Sequence, residues 1–155
     1  LRERCAITDF TENHDLLVIG ASTVADFDLV KKAHGDFPKK VVKISTKEAE
    51  FVKYFSNCYN ATLVTFANAL YGACQIIGVD YDNVMNCVSN RDHISKKYLQ
   101  CNDLFRGFGG MCLPKDMKAL AYICRDTDIT FFADILKQNE KFKITIQEGM
   151  RSEND

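Results

Sequence analysis

Between Tyr54 and Val79 the chain runs for 26 consecutive residues without a charged side chain. A helix of that length could cross a bilayer. Ser56, Asn57, Asn60, Thr62, Thr65, Asn68 and Gln75 interrupt the run, too many polar groups for hydrocarbon. It also lacks basic and aromatic anchors on both flanks. The alternative is a helix apolar on nearly all faces, and therefore buried on nearly all faces. One chain of 155 residues can hardly wrap such a helix alone. The expected cover is a second copy packed helix against helix, making a homodimer through residues 47–79.

The rest of the composition is that of an ordinary globular protein, with 46% hydrophobic and 26% charged residues. Twenty basic and 21 acidic residues leave a net charge of −1, which offers no electrostatic footprint for nucleic acid or an anionic membrane. Seven cysteines are scattered with no CxxC pair, so neither a metal site nor a disulfide framework is expected. Free thiols suit a reducing cytoplasm. The opening Leu1-Arg2-Glu3-Arg4 has no initiator Met, which reads as a segment of a longer protein.

Ahead of the long helix, residues 15–21 form a short apolar run ending at Gly20, the pattern of a buried strand. Asp26 to His34 reads as a helix stopped by Gly35, and Val41 to Ile44 as a second strand. This strand–helix–strand unit belongs to α/β architecture. Ser45-Thr46-Lys47-Glu48 is a capped start for the long helix, which Gly78-Val79-Asp80 ends. A short helix follows from Asp80 or Asp82 through Cys87, then a polar loop over 90–103. Pro114 opens a helix to about Arg125, and Phe131 to Met150 forms the last one. The fold class is mostly α with a small α/β flank.

The sharpest local feature is Gly107-Phe108-Gly109-Gly110-Met111-Cys112-Leu113-Pro114-Lys115-Asp116. It is not a GxGxxG dinucleotide fingerprint. Closely spaced glycines let backbone approach a ligand. Cys112 stands just before a helix N-terminus, whose partial positive charge favours a thiolate, with Lys115 adding a cation. From spacing alone, a nucleophile and a buried structural cysteine both stay open. Lys53, Asn57 and Asn68 share one helix face. That line either supplies donors to a developing oxyanion or makes interhelical hydrogen bonds, and the pattern alone favours the second. Asp116 fits an acid complementing the helix dipole, or a group orienting water or Lys53. His14 and His34 read as solvated. Met111, Met117 and the phenylalanines read as core.

The segment from Gly107 to Asp116 closely resembles the catalytic-cysteine segment of the UDP-glucose and GDP-mannose dehydrogenase family. Leu1 to Ile7 resembles its substrate-contacting stretch, Glu50 to Asn57 the start of its central helix, and Ile94 to Leu99 the approach to the cysteine loop. The resemblance implies that residues 1–45 are the end of a Rossmann-type NAD-binding domain. Residues 46–155 would be the helical domain built on one long central helix. It also implies NAD-dependent oxidation of a nucleotide sugar, UDP-glucose to UDP-glucuronate, through a thiohemiacetal and a thioester on Cys112. Lys53 and Asn57 would hold the oxygen on C6, and Asp116 would position water and Lys53. Leu1, Arg2, Glu3, Tyr98, Gly107, Phe108 and Gly109 would contact substrate, and Glu3 and Lys115 the cofactor. GDP-mannose is the alternative substrate, and a non-catalytic dimerising module the alternative role. A 6-phosphogluconate-dehydrogenase-like domain shares the long helix but has no reason to keep the cysteine.

Departures from the family's pattern are also visible. His93 stands where the family often has an arginine reaching into the partner's site, with Arg91 two residues away. The loop between Leu99 and Gly107 looks longer than usual. The family's GxGxxG half-domain, the acid/base glutamate before Leu1 and the third domain lie outside these residues, so this piece alone is expected not to turn over.

Overall fold

A computed structural model describes residues 6–12 and 14–142. The chain divides into two compact units, Leu1–Lys53 and Tyr54–Asp155, with the division inside the long helix.

In the first unit, α1 spans Ala6–Thr11, β1 Leu17–Gly20, α2 Val24–His34 and β2 Val41–Ile44, followed by the start of α3, which spans Thr46–Ile77. The strands pair in parallel, Leu17 opposite Val41 and Gly20 opposite Ile44, as a helical crossover requires. α2 begins two residues earlier than the apolar pattern indicates because Thr23 caps it, accepting from the Asp26 N–H at 3.1 Å. Gly35 ends it with a φ of 58°, a conformation glycine adopts without penalty. Gly20 has a different reason. A Cβ there would lie 2.8 Å from the Thr46 Cα and 2.9 Å from the Ala49 Cβ, so only glycine lets β1 end against the first turn of α3. That turn carries a reciprocal cap. The Ser45 N–H donates to the Glu48 carboxylate at 2.9 Å and the Glu48 N–H donates to the Ser45 Oγ at 3.3 Å.

His14 is not solvated. It is buried in a ring cluster with Phe10, half-buried His34 and Phe37, with neighbouring centroids 5.1–5.4 Å apart. Burial and the facing His14 both hold the His34 imidazole below its ordinary pKa. The contacts join α1 to the end of α2, so no local pattern around His14 reveals them.

In the second unit α3 continues, followed by α4 (Tyr81–Val88), α5 (Leu113–Ile123) and α6 (Phe131–Glu140). The last helix, expected to run from Phe131 to Met150, stops at Glu140, where Lys141 caps it and residues 141–142 form a turn; residues 143–150 lie outside the described residues. Gly78 ends α3 with a φ of 72°. Its N–H reaches the Gln75 carbonyl and the Val79 N–H reaches the Cys74 carbonyl, which satisfies carbonyls the helix leaves open. Asp80 then caps α4, accepting from the Asn83 N–H at 2.7 Å. No helix among the described residues is long and apolar enough to cross a membrane.

Two apolar clusters hold this unit. One joins Cys58, Ala61 and Val64 of α3 to Phe108, to Met117 and Leu120 of α5 and to Ile135 of α6. The other joins Ala67 and Cys74 to Tyr81, Leu99 and Cys101. Its own chain covers only one side of α3. Phe55, Tyr59, Phe66, Leu70 and Ile77 are exposed, at spacings that return to one face. Two further expectations are corrected. Phe51, Phe55, Phe66 and Phe131 are exposed rather than core. So is Met111, at 79%: it lies in the loop ahead of α5 and belongs to neither apolar cluster.

Candidate functional site

Cys112 occupies the N-cap position of α5, exposed, with Pro114 in the first turn. Its carbonyl accepts the Asp116 N–H at 3.0 Å, so the thiol and the carboxyl group belong to one turn of helix. Asp116 is only 1% exposed. A buried carboxylate needs partners, and Lys115 and Asn57 are among them. Lys115 Nζ donates to one oxygen at 2.5 Å and Asn57 Nδ2 to the other at 2.5 Å. Asp116 is therefore more than a first-turn acid on a solvated face: it ties α5 to α3 and sets the direction of the Asn57 amide. Since a carboxylate only accepts, the Asn57 Nδ2 must face it.

The same carboxyl group tunes its neighbours. Its hydrogen bond holds the Lys115 ammonium above its ordinary pKa, and that side chain is 61% exposed and stays cationic. Burial, and then the Asp116 charge, push the Cys58 thiol up. Cys58 is thus kept protonated on the inner side of Asp116, while Cys112 stands open on the outer side.

The structure brings together Asn57, Cys112, Lys115 and Asp116. Lys53 lies one helical turn before Asn57 on α3, exposed, within the first unit. Tyr98 is half-buried against the first apolar cluster. Its φ of 64° is strain in a non-glycine residue that surrounding contacts must hold. Gly107 is buried with a φ of 68°, Phe108 is 1% exposed, and Gly109 is half-buried. Leu1, Arg2 and Glu3 lie outside the described residues. His93 and Arg91 are both exposed. Among the described residues no group of three metal-ligating side chains occurs.

Asn68 does not extend the polar line as a donor to a ligand. It is 1% exposed. Its Nδ2 donates to the Val64 carbonyl at 2.8 Å, while its Oδ1 accepts from Arg106 Nε at 2.8 Å and the Gly107 N–H at 3.2 Å. Arg106 lies between the rings of Tyr71 and Phe142, 4.9 and 4.4 Å from their centroids. Asn139 of α6 went unread in the sequence, since one asparagine in an amphipathic helix carries no local signal. It is bound to Phe108 at both ends of its amide.

Residues 47–142 match the central domain of the UDP-glucose/GDP-mannose dehydrogenase family. The chain belongs to that family. Relatives within it include the UDP-glucose 6-dehydrogenase TuaD of Bacillus subtilis, 32% identical over 148 residues that make up 94% of this chain and 31% of the relative. A GDP-mannose 6-dehydrogenase of Pseudomonas putida is 31% identical over 144 residues, 90% of this chain and 32% of the relative. Among solved structures, a UDP-glucose dehydrogenase from the hyperthermophilic archaeon Pyrobaculum islandicum superimposes with a TM-score of 0.80 at 30% identity, covering 91% of this chain and 32% of that one. The chain thus spans about a third of the length of these family members.

Proposed function

We propose that this chain is the central, cysteine-bearing part of an NAD-dependent nucleotide-sugar dehydrogenase that oxidises UDP-glucose to UDP-glucuronate in the cytoplasm. The observation that carries the reading is the placement of an exposed thiol at the start of α5, above an Asn57–Asp116–Lys115 cluster. The names of the relatives support the substrate class. Residues 1–45 are then the end of the cofactor-binding domain, and residues 46–155 the helical domain.

The chemistry follows from what each group can do. When bound, NAD would accept hydride from the sugar's C6 carbon, and two NAD molecules in turn would take the two hydrides that conversion of the alcohol to the acid releases. Within this chain the fit to that cofactor is at its edge: Lys115 is an exposed cation suited to an anionic ligand, and no glycine-rich dinucleotide fingerprint is present. After the alcohol has become an aldehyde, the Cys112 sulfur adds to the carbonyl carbon and the oxygen takes up negative charge. Asn57, its amide directed by Asp116, and Lys53, one turn earlier, donate to that oxygen. Loss of a second hydride leaves a thioester on Cys112, and water positioned near Asp116 releases the acid and restores the thiol. By resemblance to the family, Leu1, Arg2, Glu3, Tyr98, Gly107 and Gly109 would contact the sugar, and Glu3 and Lys115 the cofactor; Phe108, 1% exposed with its N–H and carbonyl both bonded to Asn139, offers the sugar no free backbone N–H. The exposed stripe from Phe55 to Ile77 supports a homodimer across α3.

GDP-mannose is the second reading, since relatives of both names match at similar identity. The test is Cys112→Ser in the full-length protein. Uronate formation from UDP-glucose falls by about a thousandfold or more once the nucleophile is lost. Unchanged turnover sinks the mechanism. Turnover of GDP-mannose alone changes the substrate, and no turnover of either by the unmodified protein leaves a dimerising module.

A further inference from the structure

We propose that Asn139 and Asn68 are positioning residues that clamp Gly107 and Phe108 and so set where Cys112 stands. The inference rests on the reading of Cys112 given above.

Two successive N–H groups of the glycine loop end on side-chain carbonyls from two different helices. The Gly107 N–H donates to Asn68 Oδ1 of α3 at 3.2 Å, and the Phe108 N–H donates to Asn139 Oδ1 of α6 at 2.7 Å. Asn139 Nδ2 also donates to the Phe108 carbonyl at 2.8 Å. One planar amide thus satisfies both backbone groups of one residue, the way a neighbouring strand would. Asn139 is buried, so neither Phe108 group has water to fall back on. The Phe108 ring fills the cluster between α3, α5 and α6. Its backbone and side chain are therefore fixed by separate interactions.

The other end of the loop is fixed as well. Met117 lies in the same cluster with Leu113 packed against it, and Asp116 is bonded to Asn57. Between Phe108 and Leu113 lie four residues, Gly109 to Cys112, of which the last three are exposed. A four-residue bridge with both ends held has few conformations. The clamp thus narrows the positions open to the Cys112 sulfur without touching the ligand. A thiol that attacks a carbonyl must be placed to within a fraction of an ångström, and a 1 Å error costs about a hundredfold in rate.

The decisive variant is Asn139→Asp in the full-length protein. It keeps an acceptor for the Phe108 N–H and replaces the donor to the Phe108 carbonyl with an oxygen. The expected result is a kcat lowered about a hundredfold, a KM within about threefold of wild type, and faster hydrogen exchange across residues 107–112. Cys74→Ser, in the other apolar cluster, serves as the stability control. If it lowers kcat as far for the same loss of melting temperature, or if exchange in the loop is unchanged in Asn139→Asp, the proposal is overturned. Should Asn139→Asp fail to fold, the pair Asn68→Asp and Asn68→Leu decides. Asn68 holds the loop through Oδ1, so Asp retains turnover and Leu loses it, and equal loss in both overturns the clamp. If the wild-type protein oxidises no nucleotide sugar, the proposed function fails. The clamp then stands or falls on the exchange across residues 107–112 alone.

Discussion

The two faces of α3 differ in a way that hydropathy does not capture. Toward its own chain the helix presents Asn57, Cys58, Ala61, Val64, Thr65 and Asn68, which are small or polar. On the opposite side it presents Phe55, Tyr59, Phe66, Leu70 and Ile77, which are large and apolar yet exposed. An ordinary surface helix buries its large side chains and exposes its polar ones; this one buries mainly small and polar side chains, with Tyr54, Leu63 and Tyr71 partly buried beside them, and leaves a stripe of large apolar ones exposed. Small residues inside let α5, α6 and the glycine loop approach closely, and the amides of half-buried Asn57 and buried Asn68 bind what approaches. The large residues outside are suited to a second copy.

The strongest way to break this contrast is on the inner side. Asn57→Ala in the full-length protein removes the donor proposed for the developing oxyanion and a partner of buried Asp116, and kcat is expected to fall about a hundredfold or more. Steady-state kinetics with UDP-glucose check it, and a loss below threefold refutes the role given to Asn57. The next effect is on packing. Val64 is fully buried, and Val64→Ala is expected to cost about 2 kcal/mol by loss of contacts and a residual cavity, read by urea denaturation. The outer side answers differently. Phe66→Glu is expected to change the stability of a single chain by less than about 0.5 kcal/mol, as surface substitutions do. It should nevertheless shift the protein to monomers in sedimentation; a dimer that survives it argues against a partner on that stripe.

The smallest effect concerns where α3 begins. The hydrogen bonds from Ser45 hold the Glu48 carboxyl below its ordinary pKa. A group depressed in the folded state contributes stability that is present above its unfolded pKa and lost as pH falls through the folded value. The first turn of α3 should therefore loosen at acid pH below the ordinary glutamate range. Glu48→Gln should remove that pH dependence, as seen by amide exchange at residues 45–48.

Much of this was legible in local pattern. The apolar runs marked β1 and β2, Ser45 and Glu48 marked the start of α3, Gly78 its end, and Pro114 the first turn of α5. The unusual Gly107–Asp116 segment marked the site. What escaped notice depends on groups far apart in sequence. Asn139 meets Phe108 across 31 positions, and Asn57 meets Asp116 across 59. His14 packs against Phe10, four residues earlier, and against His34, twenty residues later, and a lone histidine after a short helix does not signal that. Hydrophobicity misplaced Met111 because a residue at an open site is not chosen for burial. Six-residue α1 is too short for periodicity to mark.

The pairing of Asn57 with Asp116 and of Asn68 with Gly107 also sets a rule of phase. The two asparagines are eleven residues apart on one continuous helix, which is about three full turns plus 20°. One residue inserted or deleted between them would rotate one anchor about 100° away from its partner while the other stayed bound. Side chains along this stretch can be exchanged within limits of size; its length cannot be changed.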